Sequence, residues 1–348
     1  MNFTKLLINW YLKNKRNLPW RETREPYPIW LSEIMLQQTR VEQGVPYYYR
    51  FIEAFPTVFH LAEASQQEVL KLWQGLGYYS RARNLHETAR YVAGELDGNF
   101  PEDYKGLIKL KGIGDYTASA IASICYNEPV AVVDGNVYRV LARYFVIDTP
   151  INTPAGVKEF KALASELLDI KNPSVFNQAM MEFGALQCRP KNPLCESCPL
   201  NDGCLALKQK KISELPIKLK KGKIKKRYFN YLVFQTKENA TLLNQRTGKG
   251  IWNGLYEFPL IETERQLTAE EFLSREEVGA AVGEVKHVQL YNEKPVVHKL
   301  SHQHIYARFW LVESKKLPPK AISMDEVEDY PVPVLIQNFL NEYEPTDY

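Results

Sequence analysis

Cys188, Cys195, Cys198 and Cys204 stand close together in the spacing C-x6-C-x2-C-x5-C. Pro190, Pro193 and Pro199 fall among them. Proline suits neither a helix interior nor a central strand, so a compact loop is predicted. Four thiols in one loop point to a metal centre rather than to disulfides, which belong to oxidising compartments. Structural zinc is the commonest four-cysteine site, but it usually pairs two short knuckles, and here only Cys195 and Cys198 form one. An iron–sulfur cluster is the other candidate. The fifth cysteine, Cys125, lies in an apolar helical pattern and reads as core.

A second constraint runs from Leu110 to Asp134, opening Leu110-Lys111-Gly112-Ile113-Gly114. Two glycines one residue apart permit a sharp turn that leaves backbone N–H groups unshielded. A helix start at that point would favour an anion, and a nucleic-acid phosphate is the obvious one. An ordinary helix connection fits the turn equally well. Asp134 follows the apolar run Pro129–Val133, and an isolated carboxylate there is costly unless it serves a purpose.

The chain of 348 residues has room for two or three domains, and its 45% hydrophobic and 24% charged residues describe a globular protein. No stretch is long and apolar enough to span a membrane, and the first residues lack the pattern of a signal peptide. A cytoplasmic monomer is the expectation. The net charge of +3 is mild, but Lys208 to Arg227 holds ten Lys/Arg against the single acid Glu214. That run suits a linker near phosphates, and a solvated linker equally.

Residues 1–207 read as all-α. A helix is predicted to end near Asn14, and a second runs through Ile29–Arg40 with Trp30, Leu31, Ile34 and Met35 as its apolar stripe. Glu33 sits beside that stripe, where pattern alone suggests a surface acid near a helix start. Further helical patterns cover 85–96, 104–126, and 137–143 beyond Asp134. From about 227 the pattern changes. Tyr228–Phe234 and Thr241–Arg246 read as strands, Gly248–Gly254 as a loop, 267–282 as helix and His302–Val312 as strand. This half is α+β.

The Gly-x-Gly turn, Asp134, the cysteine spacing and Trp30-Leu31-Ser32-Glu33-Ile34-Met35-Leu36-Gln37-Gln38-Thr39 together resemble the helix-hairpin-helix–Gly/Pro/Asp superfamily of base-excision DNA glycosylases. Within it the match is to the iron–sulfur branch that removes adenine mispaired with 8-oxoguanine or guanine. The resemblance implies a six-helix barrel with the hairpin over 23–134, an iron–sulfur domain from 1–22 and 135–207, a basic linker over 208–226 and a Nudix-like recognition domain over 227–348. It implies one 4Fe–4S cluster on Cys188, Cys195, Cys198 and Cys204, structural and electrostatic in role. The partner would be double-stranded DNA, with the bacterial nucleoid as the place of action and the linker open to repair or replication proteins.

Site residues follow from the same resemblance. Glu33 would protonate the leaving adenine, and Asp134 would stabilise or transiently bond the sugar, with Tyr116 and Asn136 in support. Gly112 and Gly114 would hold the DNA backbone, while Gln37 and Gln38 enter the duplex beside the target base. Tyr78 would wedge in next to 8-oxoguanine. Gln178 would contact the flipped adenine, with Arg16 and Arg21 near the pocket. Leu300-Ser301-His302 aligns with the loop that senses 8-oxoguanine, normally Phe-Ser-His, so this chain has lost an aromatic ring there. Endonuclease III-type enzymes carry a lysine where this chain has Tyr116. A phenol cannot form a Schiff base, so a monofunctional enzyme is expected rather than a glycosylase/lyase. A DNA-damage binder without activity is disfavoured by the presence of both Glu33 and Asp134. Arg275-Glu276-Glu277-Val278-Gly279 is similar to the end of a Nudix box, but the upstream glycine and glutamate are missing. Without the full carboxylate set Mg²⁺ is not held against a pyrophosphate.

Overall fold

The computed structural model describes residues 3–219, 222, 224–282, 285–314 and 320–343. Its contacts divide the chain into two units, Met1–Glu63 with Asn84–Lys220, and Ala64–Arg83 with Lys221–Tyr348. This division crosses the barrel span expected over 23–134, because Ala64–Arg83 goes with the second unit.

No strand occurs in 3–219. The helices there are α1 (Phe3–Asn14), α2 (Pro26–Met35), α3 (Val41–Ala54), α4 (Val58–Glu63), α5 (Gln66–Leu72), α6 (Ser80–Glu95), α7 (Tyr104–Leu107), α8 (Asp115–Cys125), α9 (Gly135–Phe145), α10 (Pro154–Leu167), α11 (Pro173–Leu186) and α12 (Leu205–Lys208). Proline opens α2, α10 and α11 in the first turn, where its missing N–H costs nothing. α2 ends at Met35, five residues before the expected Arg40, and Leu36–Thr39 turn away with Gln38 in the left-handed region at φ 59°. The span 104–126 is likewise broken. α7 stops at Leu107, and the turn through Gly112 (φ 76°) leads to Gly114 as N-cap of α8. A Cβ on Gly112 would come within 2.7 Å of Asn84 Cβ, so the turn needs glycine for both its dihedral and its space.

Around α9 and α11 lies one continuous core, in which Leu7 and Tyr11 of α1 meet Val137, Leu141, Phe176, Met180 and Phe183. Residues 209–219, expected as a linker, fold back onto this unit. Leu215 is buried, Ile151 N donates to Ile217 O at 3.0 Å, and Leu219 N donates to Asn152 Oδ1 at 2.9 Å.

The second unit is built on a mixed sheet of β1 (Lys225–Gln235), β5 (Leu260–Thr263), β6 (Val285–Leu290), β7 (Val296–Lys299) and β8 (Gln303–Ser314). The strand order is β5-β1-β8-β6, and β7 also pairs with β8. The long β1 and β8 run parallel in register from Lys225↔Gln303 to Gln235↔Glu313. Short ladders pair β2 (Ala240–Thr241) with β9 (Ile322–Ser323), and β3 (Asn244–Gln245) with β4 (Tyr256–Glu257). The expected strand over 241–246 is thus two short pieces with different partners, and β1 starts inside the expected linker. The helix expected over 267–282 splits into α13 (Ala269–Leu273) and α14 (Glu276–Val282), and α15 (Val334–Glu342) follows. Phe272 of α13 stacks on Trp310 of β8 at 4.3 Å, tying the helix to the sheet. Gln67, Gln74 and Arg83, from the early segment, hydrogen-bond Tyr256, Gln337 and Asn253 of this unit. Lys71 Nζ bonds Glu328 O.

Candidate active site and cluster loop

α2 is buried on nearly all sides, through Tyr27, Ile29, Trp30, Leu31, Ile34 and Met35. It carries Glu33 into the interior with only 7% of its surface exposed. Burial raises the Glu33 carboxyl from 4.5 to about 7, aided by the Asp134 charge and opposed by a hydrogen bond from Tyr116 and by Arg21. Glu33 Oε2 has no hydrogen-bond partner among the described residues, although buried polar atoms nearly always have one. A buried acid with one open oxygen is a group prepared for a partner from outside.

Asp134 is the N-cap of α9. Its Oδ1 accepts from Asn136 N at 2.9 Å and Val137 N at 2.8 Å, and its Oδ2 accepts from Asn136 Nδ2 at 2.7 Å. Burial is the largest influence and leaves its carboxyl raised, although these donors and Arg139 pull it down. Its hydrogen-bond partners are all donors, at a helix N-terminus where the dipole favours an anion, so these contacts favour the carboxylate against the effect of burial. Tyr116, on α8, hydrogen-bonds Glu33, and burial first, then the two carboxyls, push its hydroxyl well above 10. It stays a neutral phenol.

These groups line a cleft of about 610 Å³ together with Asn136, Gln178, Arg16 and Arg21. The two arginines are not free within it. Glu182 takes Arg16 N at 2.8 Å, Arg16 Nη2 at 2.8 Å, and Arg21 Nη1 and Nη2 at 3.0 and 2.9 Å. Burial alone would raise the Glu182 carboxyl, but the forked bonds from Arg16 and Arg21 win and hold it at about 2. Sequence reasoning missed Glu182, whose only signal is its place four residues after Gln178 on the same face of α11. Gln178 is itself oriented, since Tyr11 Oη donates to its Oε1 at 3.1 Å. Gln37 Nε2 donates to Thr117 Oγ1 at 3.1 Å.

All four cysteines after α11 line one pocket with Val140, Phe183 and Leu200. A four-iron cluster takes one thiolate at each iron, so its four ligands ring a cavity. The donor set fits the cluster. Arg143 braces this loop, donating to Arg189 O at 2.8 Å, Pro190 O at 3.2 Å and Leu215 O at 3.1 Å, with Cys188 Sγ 3.4 Å away. Arg139 reaches both ways. It donates to Cys188 O at 2.7 Å, and to Asn136 Oδ1 at 2.8 Å beside Asp134.

The second unit brings together a different set. Tyr78, half exposed and left-handed at φ 50°, lines a cavity of about 430 Å³ with Leu300, Ser301 and His302. Arg275, the first residue of the stretch similar to the end of a Nudix box, donates through Nη2 and Nε to Glu277 Oε2 at 2.9 and 3.1 Å.

Residues 31–165 match the HhH-GPD superfamily of base excision DNA repair proteins, 188–204 the iron-sulfur binding domain of endonuclease III, and 230–342 a NUDIX domain. An adenine DNA glycosylase of Buchnera aphidicola from Schizaphis graminum is 37% identical over 303 residues, covering 86% of this chain and 84% of its own. The human adenine DNA glycosylase is 45% identical over 213 residues, 59% of this chain and 39% of its own. The chain belongs to the adenine DNA glycosylase family. Among solved structures, a thermostable thymine-DNA glycosylase superposes with TM-score 0.55 at 29% identity, covering 60% of this chain and 95% of its own. A trapped endonuclease III–DNA intermediate, at 22% identity and TM-score 0.53, covers 60% and 94% and shares the fold. As a member of the adenine DNA glycosylase family, the chain is a DNA N-glycosylase that removes adenine in base-excision repair and holds a 4Fe–4S cluster. No helix among its described residues is long and apolar enough to cross a membrane.

Proposed function

We propose that this enzyme is monofunctional, that its substrate is adenine opposite 8-oxoguanine or guanine in duplex DNA, and that Glu33 and Asp134 carry the reaction. The observation that carries this reading is the buried Glu33 carboxyl, raised to about 7 with one oxygen unpartnered, in the same cleft as a second carboxyl whose hydrogen-bond partners are all donors.

The target base must leave the stack before chemistry, because the reacting atoms are inaccessible in the duplex. Protonated Glu33 gives its proton to adenine N7. The C1′–N9 bond then breaks with its electron pair leaving on the base, and the sugar becomes an oxocarbenium-like cation. Asp134, fixed by Asn136 and Val137, stabilises that cation or bonds C1′ transiently. Water finally adds to C1′, and the proton it loses returns to Glu33. Tyr116 holds Glu33 in place, and as a neutral phenol it offers no amine for strand cleavage. Gln178, Arg16 and Arg21 belong to the pocket for the flipped adenine. Gln37 and Gln38 belong to the duplex beside it, and Gly112 and Gly114 to the DNA backbone. Cys188, Cys195, Cys198 and Cys204 hold the cluster, which supplies structural and electrostatic support, since cysteines fill all its ligand positions.

Opposite-base recognition falls to the second unit. Tyr78 and Leu300-Ser301-His302 line one cavity there, with Ser301 and His302 offering polar groups for the altered edge of 8-oxoguanine. On this reading the protein works as a monomer at the nucleoid. The test is single-turnover excision on a duplex with one adenine opposite 8-oxoguanine, with and without later alkali. Breaks that appear only after alkali are expected. Breaks without alkali would show that an amine acts as nucleophile and would overturn the monofunctional reading. No breaks in either arm, with DNA still bound, would sink the assignment of Glu33 and Asp134.

A further inference from the structure

We propose that Trp252 is a positioning residue that acts through the ring of His298 to set the Leu300–Ser301–His302 loop for the base opposite the target. The inference rests on the reading of that loop as the opposite-base sensor, and it adds residues that the reading did not contain.

The first observation is backbone strain. Trp252 is left-handed at φ 60°, in a loop whose other left-handed positions are Gly248 (φ 84°), Gly250 (φ 142°) and Gly254 (φ 85°). A bulky residue in that region is a genuine outlier, tolerated only where its surroundings over-determine it. Glycine would adopt the same turn without strain. The ring must therefore serve something that the turn alone does not.

The second observation is that the loop is held without the ring. Trp252 O accepts from Leu255 N at 3.0 Å, Asn253 Nδ2 donates to Gly248 O at 2.7 Å, and Gly254 N donates to Arg246 O at 2.8 Å. What the strain achieves is the direction of the indole. It is 8% exposed, edge-on to Phe229 at 6.2 Å and inclined to His298 at 5.5 Å. Phe229 is a fixed wall, itself buried with the Arg227 guanidinium 4.7 Å from its ring centre.

The third observation is where His298 stands. It lies on β7 opposite Ile305 of β8, and one residue later the strand ends. The chain then turns through Leu300, Ser301 and His302, with Leu300 N donating to Gln303 O at 2.8 Å. The His298 ring thus stands at the next-to-last strand position before the sensing loop. Trp252, His298, Leu300, Ser301, His302 and Tyr78 all line the same cavity. With leucine at position 300, the indole and imidazole join Tyr78 and Tyr79 as the aromatic side chains lining this cavity.

The test is the ratio of single-turnover excision rates opposite 8-oxoguanine and opposite guanine, measured for the full-length enzyme and its variants. Trp252→Leu keeps an apolar side chain but removes the ring. It should lower the ratio roughly three- to tenfold, the worth of one aromatic pair, with excision opposite guanine falling less. Trp252→Phe should restore most of the ratio. His298→Leu should match Trp252→Leu, and the double variant should be no worse than either. A uniform loss on both duplexes, an unchanged ratio, or additive effects would overturn the proposal and leave Trp252 as ordinary core. If Trp252→Leu does not fold, the Phe and His298→Leu variants carry the same test. Ser301→Ala separates the two levels. Loss of preference in Ser301→Ala but not in Trp252→Leu or His298→Leu refutes only the positioning role. A wild-type enzyme without preference, or one indifferent to Ser301→Ala, overturns the loop reading and this inference with it.

Discussion

Burying Glu33 moves its carboxyl from 4.5 to about 7, and the sign of that shift sets two pH dependences. The folded protein binds this proton more tightly than the unfolded chain, so stability falls as pH rises from 4.5 to 7. Above that range the cost is constant, at about 3 kcal/mol. The acid form needed for leaving-group protonation disappears through the same upper limit. Glu33→Gln removes the charge and keeps the volume. It should lower excision by at least about 10²-fold while raising Tm at pH 8 and leaving it nearly unchanged at pH 5. Paired thermal melts at the two pH values check this. An equal gain at both would mean the carboxyl is not burdened by its burial. Legibility at this scale was uneven. Glu33 stood out through the residues around it, but Glu182 did not, because its partners Arg16 and Arg21 lie far off in sequence and an acid on an apolar helix looks like surface. Trp252 was hidden for a different reason, since no pattern of residues reports a positive φ at tryptophan.

α9 and α11 meet where Gly184 faces Asn136. A Cβ at Gly184 would lie 2.6 Å from Asn136 Cβ and 2.8 Å from its carbonyl oxygen, so the helices approach to a distance only glycine allows. Gly184→Ala must push α9 and with it the amide that holds Asp134. An activity loss of roughly tenfold is expected, with overpacking costing about 1–3 kcal/mol. Full iron content alongside that loss would locate the damage at Asn136. Full activity in Gly184→Ala would show that Asp134 does not depend on this helix contact. Apolar periodicity found α1, α2, α6, α8 and α9 at this scale but not all of their ends, and it marked no separate helix at α3, α10 or α11. α2 stops at Met35 because the chain turns at Leu36–Thr39, and 267–282 breaks at Ser274, the C-cap of α13. Both breaks are local turns inside a pattern that continues past them. The strands at 240–245 were merged for a related reason, since alternation cannot tell which neighbour each short piece will pair with.

The division of the whole chain was the least legible feature. Nothing in the composition of 64–83 marks it as belonging with residues after 221, because that membership rests on contacts with residues far along the chain. A protein ending at residue 219 would keep the cluster loop and the cleft but lose the partners of Gln67, Lys71, Gln74 and Arg83. Limited proteolysis should then cut within 64–83 in the shortened protein and spare it in the full chain, with the brown colour of the cluster retained in both. Equal protection would mean that this segment is ordered without the second unit. The same topology bears on how the protein is made. The partners of Gln67, Lys71, Gln74 and Arg83 are synthesised 170 to 263 residues later. At about 5–20 residues per second the early segment waits roughly 10–50 s for the groups it will bond. For that interval the segment that carries Tyr78 lacks its later partners, so a stretch synthesised early completes its folding only with the second unit.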